Sequence, residues 1–187
     1  MPVGLQIESH GRQLSRSATD LLRFARNARK AAGLQGTVSI LVQCSERMRA
    51  MNRYFRHKDK PTDVLSFPAG TELQGMHEGD IAISADIAAE NARLLGHSLA
   101  NEIKVLILHG MLHLAGYDHE TDSGEMAREE RRLRAGLRLP MSLIERTEGA
   151  TGTGSSVNAA TRHKPAKITL RRATGGRRKR RTAKHSR

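Results

Sequence analysis

Between Asn101 and Ala115 the chain is almost continuously apolar, with Ile103, Val105, Leu106, Ile107, Leu108, Met111, Leu112 and Leu114 in one run. A helix that is apolar on all sides is a buried helix, so the fold has to be assembled around this segment. Yet the run also carries His109 and His113. Four residues apart on a helix, two side chains stand one above the other on the same face. Gly116 follows, and glycine ends helices because it takes φ > 0 without a Cβ clash. The chain can then turn back and deliver His119. Three imidazoles leave a tetrahedral zinc with one open position, the arrangement of a catalytic site rather than a closed structural one. The spacing predicts one Zn2+ held by His109, His113 and His119, with the first two ligands mounted on the central helix of the core.

The stretch His109-Gly110-Met111-Leu112-His113-Leu114-Ala115-Gly116-Tyr117-Asp118-His119 is similar in spacing to the metzincin protease motif, H-E-x-x-H-x-x-G-x-x-H. It departs at the second position, where the protease keeps its general-base glutamate and this chain has Gly110. The metal cage is retained and the proteolytic base is missing. That combination points to a hydrolytic metal and away from peptide hydrolysis by the usual route.

Short strands and helices alternate around the central run. Leu5 to Glu8 alternates and reads as a first strand. Thr19 to Ala32 carries Leu21, Leu22, Phe24, Ala25 and Ala28 at helical spacing, closed by Gly33. Thr37 to Val42 is short and rich in β-branched residues, hence a strand. Ser45 reads as the N-cap of a helix through Met48 and Met51 to Tyr54. A basic loop, Arg56 to Pro61, leads to a strand at Asp63 to Phe67. Ala69 to Glu78 reads as a loop and Asp80 to Ser84 as a fourth strand. Ser84 or Asp86 can cap a helix to Leu95, and Asp122 or Ser123 a last helix through Met126, Leu133 and Leu137. The expected fold is α+β, a mixed α/β domain of about four strands packed by helices.

Charge divides the chain in two. The formal net charge is +13, but residues 149–187 hold twelve lysines and arginines and no acidic residue, while residues 1–148 balance twenty basic against nineteen acidic side chains. The expected organisation is one domain over 1–148 and a basic, disordered tail over 149–187. The tail opens with a flexible linker composition, Gly149 to Ser156, and contains the cluster Arg177 to Arg181. Twelve cations without an anion suit an arm that holds RNA through its phosphates. Cys44 is the only cysteine, which suits a reducing compartment, and it reads as an inert buried thiol. No segment approaches the length of a transmembrane helix and the amino terminus lacks the apolar core of a signal peptide, so a soluble, cytoplasmic protein is expected.

Together with the histidine motif, Asn52 to Pro68 (NRYFRHKDKPTDVLSFP) and Gly79-Asp80-Ile81 make the chain resemble the YbeY family, bacterial metal-dependent single-strand endoribonucleases that are also called rRNA maturation factors. The resemblance covers roughly residues 5–145. It implies zinc ligands at His109, His113 and His119, a functional arginine at Arg56, and single-stranded rRNA as substrate. It further implies maturation of small-subunit rRNA at its 3′ end, ribosome quality control, and the small ribosomal subunit and assembly factors as partners. Nothing in the resemblance covers the basic tail.

The chemistry is coherent with that implication. Zinc lowers the pKa of a bound water from 15.7 to about 7 and binds phosphoryl oxygen as a Lewis acid. Charge building on a phosphodiester is answered by a planar guanidinium, and Arg56 is the catalytic candidate if its loop folds over the metal; otherwise it is a loop arginine or a plain RNA contact. Asp118 reads either as a histidine-orienting carboxylate or as a turn residue. His57 reads as a solvated loop histidine, and Asp63 and Asp80 as capping or turn residues. Tyr54, Phe55 and Phe67 can stack a base, with core packing the expected duty. Met111 and Met126 read as core fillers. No general base is assigned. Two other readings stand beside the nuclease: a non-catalytic rRNA-binding assembly factor with a structural zinc, and a metalloprotease-like hydrolase, which Gly110 disfavours.

Overall fold

The computed structural model describes residues 3–8, 14–73, 75–119 and 121–139, and the backbone of Ala166–Lys167. Its elements run β1 (Val3–Ile7), α1 (Ala18–Ala31), β2 (Thr37–Gln43), α2 (Ser45–Arg56), β3 (Val64–Pro68), a 3-10 turn (Thr71–Leu73), β4 (His77–Ser84), α3 (Ala85–Leu95), α4 (Leu99–Leu114), α5 (Glu125–Leu137) and the two-residue β5 (Ala166–Lys167). This is a mixed α/β domain. Four strands form its sheet in the order β1-β2-β4-β3, and β5 adds at the β3 edge. β1, β2 and β4 are mutually parallel, and β3 runs antiparallel to β4.

Strand alternation separates two apolar clusters on the two faces of the sheet. Val38, Ile40 and Val42 of β2, Val64 of β3, and Ile81 and Ile83 of β4 face the larger cluster, built with α1, α3, α4 and α5. Leu65, Phe67 and Ala82 face the other side and pack with Met48, Met51 and Phe55 of α2. The long apolar helix is the hub: α4 touches α1, α3, α5, β3 and β4. From Ile103 to Leu114 only Lys104 escapes full burial, as its all-round apolar pattern requires. Met111 and Met126 are core fillers. Among the described residues no helix is long and apolar enough to cross a membrane.

Three local expectations change. Cys44, half-buried, holds the N-cap position of α2, and Ser45 is its first helical residue. The Ser45 N–H donates to the Asp86 carboxylate at 2.6 Å, so this orphan donor is satisfied from α3 rather than by its own cap. β4 starts at His77, ahead of Asp80: Thr37 pairs with His77, and the register shifts before Val38 pairs with Gly79. The extra residue, Glu78, turns its carboxylate to accept the N–H groups of Gln35 and Gly36. Gly79 then passes Phe67 at φ 143°, where a Cβ would meet the Phe67 carbonyl. Tyr54, expected in the core, is 77% exposed, while Phe55 and Phe67 stack edge to face with centroids 5.0 Å apart. Beyond these, Ala166–Lys167 pairs in parallel with Leu65–Ser66, on the side of β3 that otherwise presents an open row of backbone donors and acceptors. The rest of the cationic tail, including Arg177 to Arg181, lies outside the described residues.

Candidate metal centre

Ser98 caps α4 by accepting from Asn101 N–H at 3.2 Å. The far end closes in a Schellman arrangement: Gly116, at φ 96°, donates to the His113 carbonyl, and Tyr117 N–H reaches back to the Leu112 carbonyl at 3.1 Å. This turn brings the following residues over the last turn of the helix. The His119 ring comes to lie 5.2 Å from that of His109 and 5.3 Å from that of His113, centroid to centroid. All three offer one ligand atom within 4.8 Å of the others, so His109, His113 and His119 can hold a metal ion.

The donor atoms fit that use. His109 Nε2 and His113 Nε2 are 3.1 Å apart. Tetrahedral coordination with metal–nitrogen bonds of about 2.0–2.1 Å spaces its ligand atoms by roughly 3.3–3.4 Å. His113 Nδ1 lies 3.0 Å from the Tyr117 carbonyl. A carbonyl only accepts, so Nδ1 carries the proton and Nε2 keeps a lone pair that it could offer to an ion. His109 and His113 are buried to 0% and 2% exposure within the rigid hub helix. Three imidazoles suit zinc, copper, iron or nickel.

At Gly110, between His109 and His113 on the helix, an added Cβ would stand 2.9 Å from both Cδ1 and Cγ2 of Ile81. The position at which the protease motif carries its base is therefore pressed onto the sheet, with no room for a glutamate.

The other candidates fall into place around this cluster. Asp118 makes the turn: its carbonyl accepts from Thr121 and Asp122 N–H. Asp122 caps α5 by proxy, its carboxylate accepting from Gly124 N–H and Met126 N–H at 2.8 Å each. Partial burial pushes its carboxyl upward, but the backbone donors of Met126, Gly124 and Glu125, with His119 nearby, outweigh this and hold it below the ordinary value. Asp63 is buried and accepts from Val64 N–H, while Asp80 is exposed and faces His77. Asp80 lies within β4 rather than at a turn, paired with Ser39 and Phe67. A further carboxylate, Glu130 of α5, is 1% exposed with Oε2 3.7 Å from His109 Nδ1.

Arg56 ends α2, half-buried, and His57 closes the helix in the left-handed region at φ 57°. α2, which ends at Arg56, covers the face of the sheet opposite α4. Both helices meet the same end of the β3 and β4 pair. Phe55 packs on Phe67 there, and Leu114 lies against Gly79, whose strand partner is Pro68. The basic loop beyond Arg56 is pinned to α2. Arg49 grips Asp59 through two bonds of 2.8 and 2.9 Å, holding the Asp59 carboxyl low, and Asn52 Nδ2 donates to the Lys60 carbonyl at 2.7 Å.

Comparison with known proteins converges on one group. The family model described as Endoribonuclease YbeY matches residues 5–138. The chain is 58% identical over 131 residues to the Endoribonuclease YbeY of Koribacter versatilis, covering 70% of this chain and 84% of that protein. Against the Endoribonuclease YbeY of Solibacter usitatus it is 48% identical over 126 residues, 67% of this chain and 83% of the relative. The fold superposes on the solution structure of a Thermotoga maritima protein with a TM-score of 0.53 and 25% identity, covering 86% of this chain and 99% of the other. The matched span takes in the basic loop, β3, β4 and all three histidines, and on these grounds the chain belongs to the YbeY family of endoribonucleases, hydrolases that act on RNA.

Proposed function

We propose that the protein is a zinc-dependent endoribonuclease that cuts single-stranded ribosomal RNA, acting in late maturation of the 16S rRNA 3′ end and in ribosome quality control. Its expected partners are the small ribosomal subunit and assembly factors, in the cytoplasm. One observation carries the reading: two imidazole Nε2 atoms face each other at 3.1 Å on a buried helix, with a third histidine folded against them and the adjacent glutamate position closed by Ile81. The zinc supplies Lewis acidity toward phosphoryl oxygen and an acidified water. His109, His113 and His119 hold it. Arg56 supplies paired donors to charge that builds on the phosphodiester, reaching it at the shared end of β3 and β4. Exposed Tyr54, in the last turn of α2 ahead of the basic loop, offers a stacking face that only an unpaired base can use, which favours single-stranded substrate. The basic tail over 149–187 adds affinity without sequence preference.

The test pairs zinc stoichiometry with cleavage of a short single-stranded RNA by wild type and His113→Ala. The reading expects one zinc per wild-type chain, and loss of both metal and cleavage in the variant. Cleavage by His113→Ala at the wild-type rate would assign the activity to another nuclease and sink the proposal. Product ends identify the attacking group: a 2′,3′-cyclic phosphate means the ribose hydroxyl.

A further inference from the structure

Glu130 occupies a position where α5 should be apolar. The buried face of that helix is Met126, Ala127, Glu130 and Leu133, and Glu130 lies in phase with the other three. A carboxylate there loses its hydration, and neither of its oxygens accepts a hydrogen bond among the described residues. The polar atom facing it is His109 Nδ1, at 3.7 Å from Oε2, itself fully buried and without a hydrogen-bond partner among the described residues. Two stranded polar atoms thus confront each other in the core, beyond hydrogen-bond length and within ion-pair reach. For folding alone, a leucine or glutamine at 130 serves better.

We propose that Glu130 is the positioning residue of the metal centre: its carboxylate takes the His109 Nδ1 proton as acceptor, fixing the tautomer and ring plane so that Nε2 points at the ion. His113 solves the same problem with the Tyr117 carbonyl, and metal-bound histidines recurrently lean on such an acceptor. The inference rests on the reading that the three histidines hold a metal. It places the cost in the metal-free protein and the gain in the metal-bound one.

That opposition makes the test. Zinc affinity of the full-length protein is measured by competition with a chromophoric chelator for wild type, Glu130→Gln, Glu130→Leu and His113→Ala, beside the melting temperature of each metal-free protein. Expected are a fall in affinity of about 10- to 100-fold in Glu130→Leu, and a smaller fall in Glu130→Gln, which keeps a neutral acceptor. The metal-free melting temperatures should equal or exceed wild type. Visible ligand-field bands of the cobalt-loaded protein should shift in Glu130→Leu, because the His109 ring is no longer held. Wild-type affinity in both Glu130 variants overturns the inference. So does a drop in affinity matched by an equal destabilisation of the metal-free fold, which marks a structural role. The isosteric Glu130→Gln decides if the leucine variant does not fold. His113→Ala separates the two levels: if it binds zinc as wild type does, the metal reading itself is wrong, whereas its failure to bind alongside unchanged Glu130 variants removes only the role of Glu130.

Discussion

Gly110 lies so close to Ile81 that a Cβ on the helix would stand 2.9 Å from two of the isoleucine's carbons. α4 reaches the sheet at this point because nothing projects from residue 110. The close approach explains two things at once: how the helix carrying His109 and His113 seats against the sheet, and why the glutamate of the similar protease motif has no place here.

Gly110→Ala should therefore destabilise the protein even though alanine is the better helix former by about 1 kcal/mol. Overpacking a core of this density costs about 1–3 kcal/mol. Shortening the opposing side chain should relieve the strain. Chemical denaturation of Gly110→Ala, Ile81→Val and the double variant forms a cycle, and the double variant is expected to be more stable than the sum of the single effects by 0.5 kcal/mol or more, roughly the size of coupling between touching residues. Simple additivity would show that the helix shifts rather than the isoleucine.

α2, which ends at Arg56, covers the face of the sheet opposite α4, so the contribution of Arg56 should separate from metal binding. Arg56→Ala is expected to keep its full zinc content and to drop about 100- to 1,000-fold in kcat on single-stranded RNA, the usual consequence of removing one donor to transition-state charge. Arg56→Lys should recover only part, since an ammonium cannot offer two parallel donors. A change confined to KM would make Arg56 a substrate-binding residue instead.

The Asp122 carboxyl is held below its ordinary value, and the sign of the pH effect follows. A depressed carboxylate contributes stability that is present in full above its unfolded pKa, near 4, and disappears as pH falls through the lower folded value. Replacing Asp122 with alanine should cost about 1 kcal/mol at neutral pH, typical of removing a helix cap. Thermal melts of variant and wild type should converge on acidification below about pH 4. A gap that persists into strong acid would show that the stabilisation does not come from the charged carboxylate.

Removal of residues 149–187 takes away twelve cations and no anion. The truncated protein should bind single-stranded RNA more weakly, and the slope of log affinity against log salt should flatten by about 0.7 for each phosphate that the tail neutralises in the full-length protein. Zinc content should stay at the wild-type level. Equal slopes for both proteins would show that the tail neutralises no phosphates.

Much of this arrangement is legible in the residues. The apolar run predicts the hub helix, and the histidine spacing with Gly116 predicts the turn that returns His119, because helix period and glycine conformation are local physics. Glu130 is harder to read. In the run Glu125 to Leu137 two adjacent glutamates, 129 and 130, look alike, and charged residues ordinarily mark a solvent face. The discriminating signal is phase: Glu130 falls four residues after Met126 and three before Leu133, on the apolar stripe. Tyr54 misleads because a tyrosine in a chain with few aromatics reads as core. The register shift at Glu78 depends on cross-strand pairing with Thr37 and Val38, which no local pattern encodes.

The bond between His113 Nδ1 and the Tyr117 carbonyl joins a ligand to the turn that ends its own helix. Fraying of that turn and rotation of the imidazole are consequently one motion. If His113 holds an ion, local opening at the carboxyl end of α4 would release it and a bound ion would slow that opening, so amide hydrogen exchange at Gly116 and Tyr117 should report occupancy of the site.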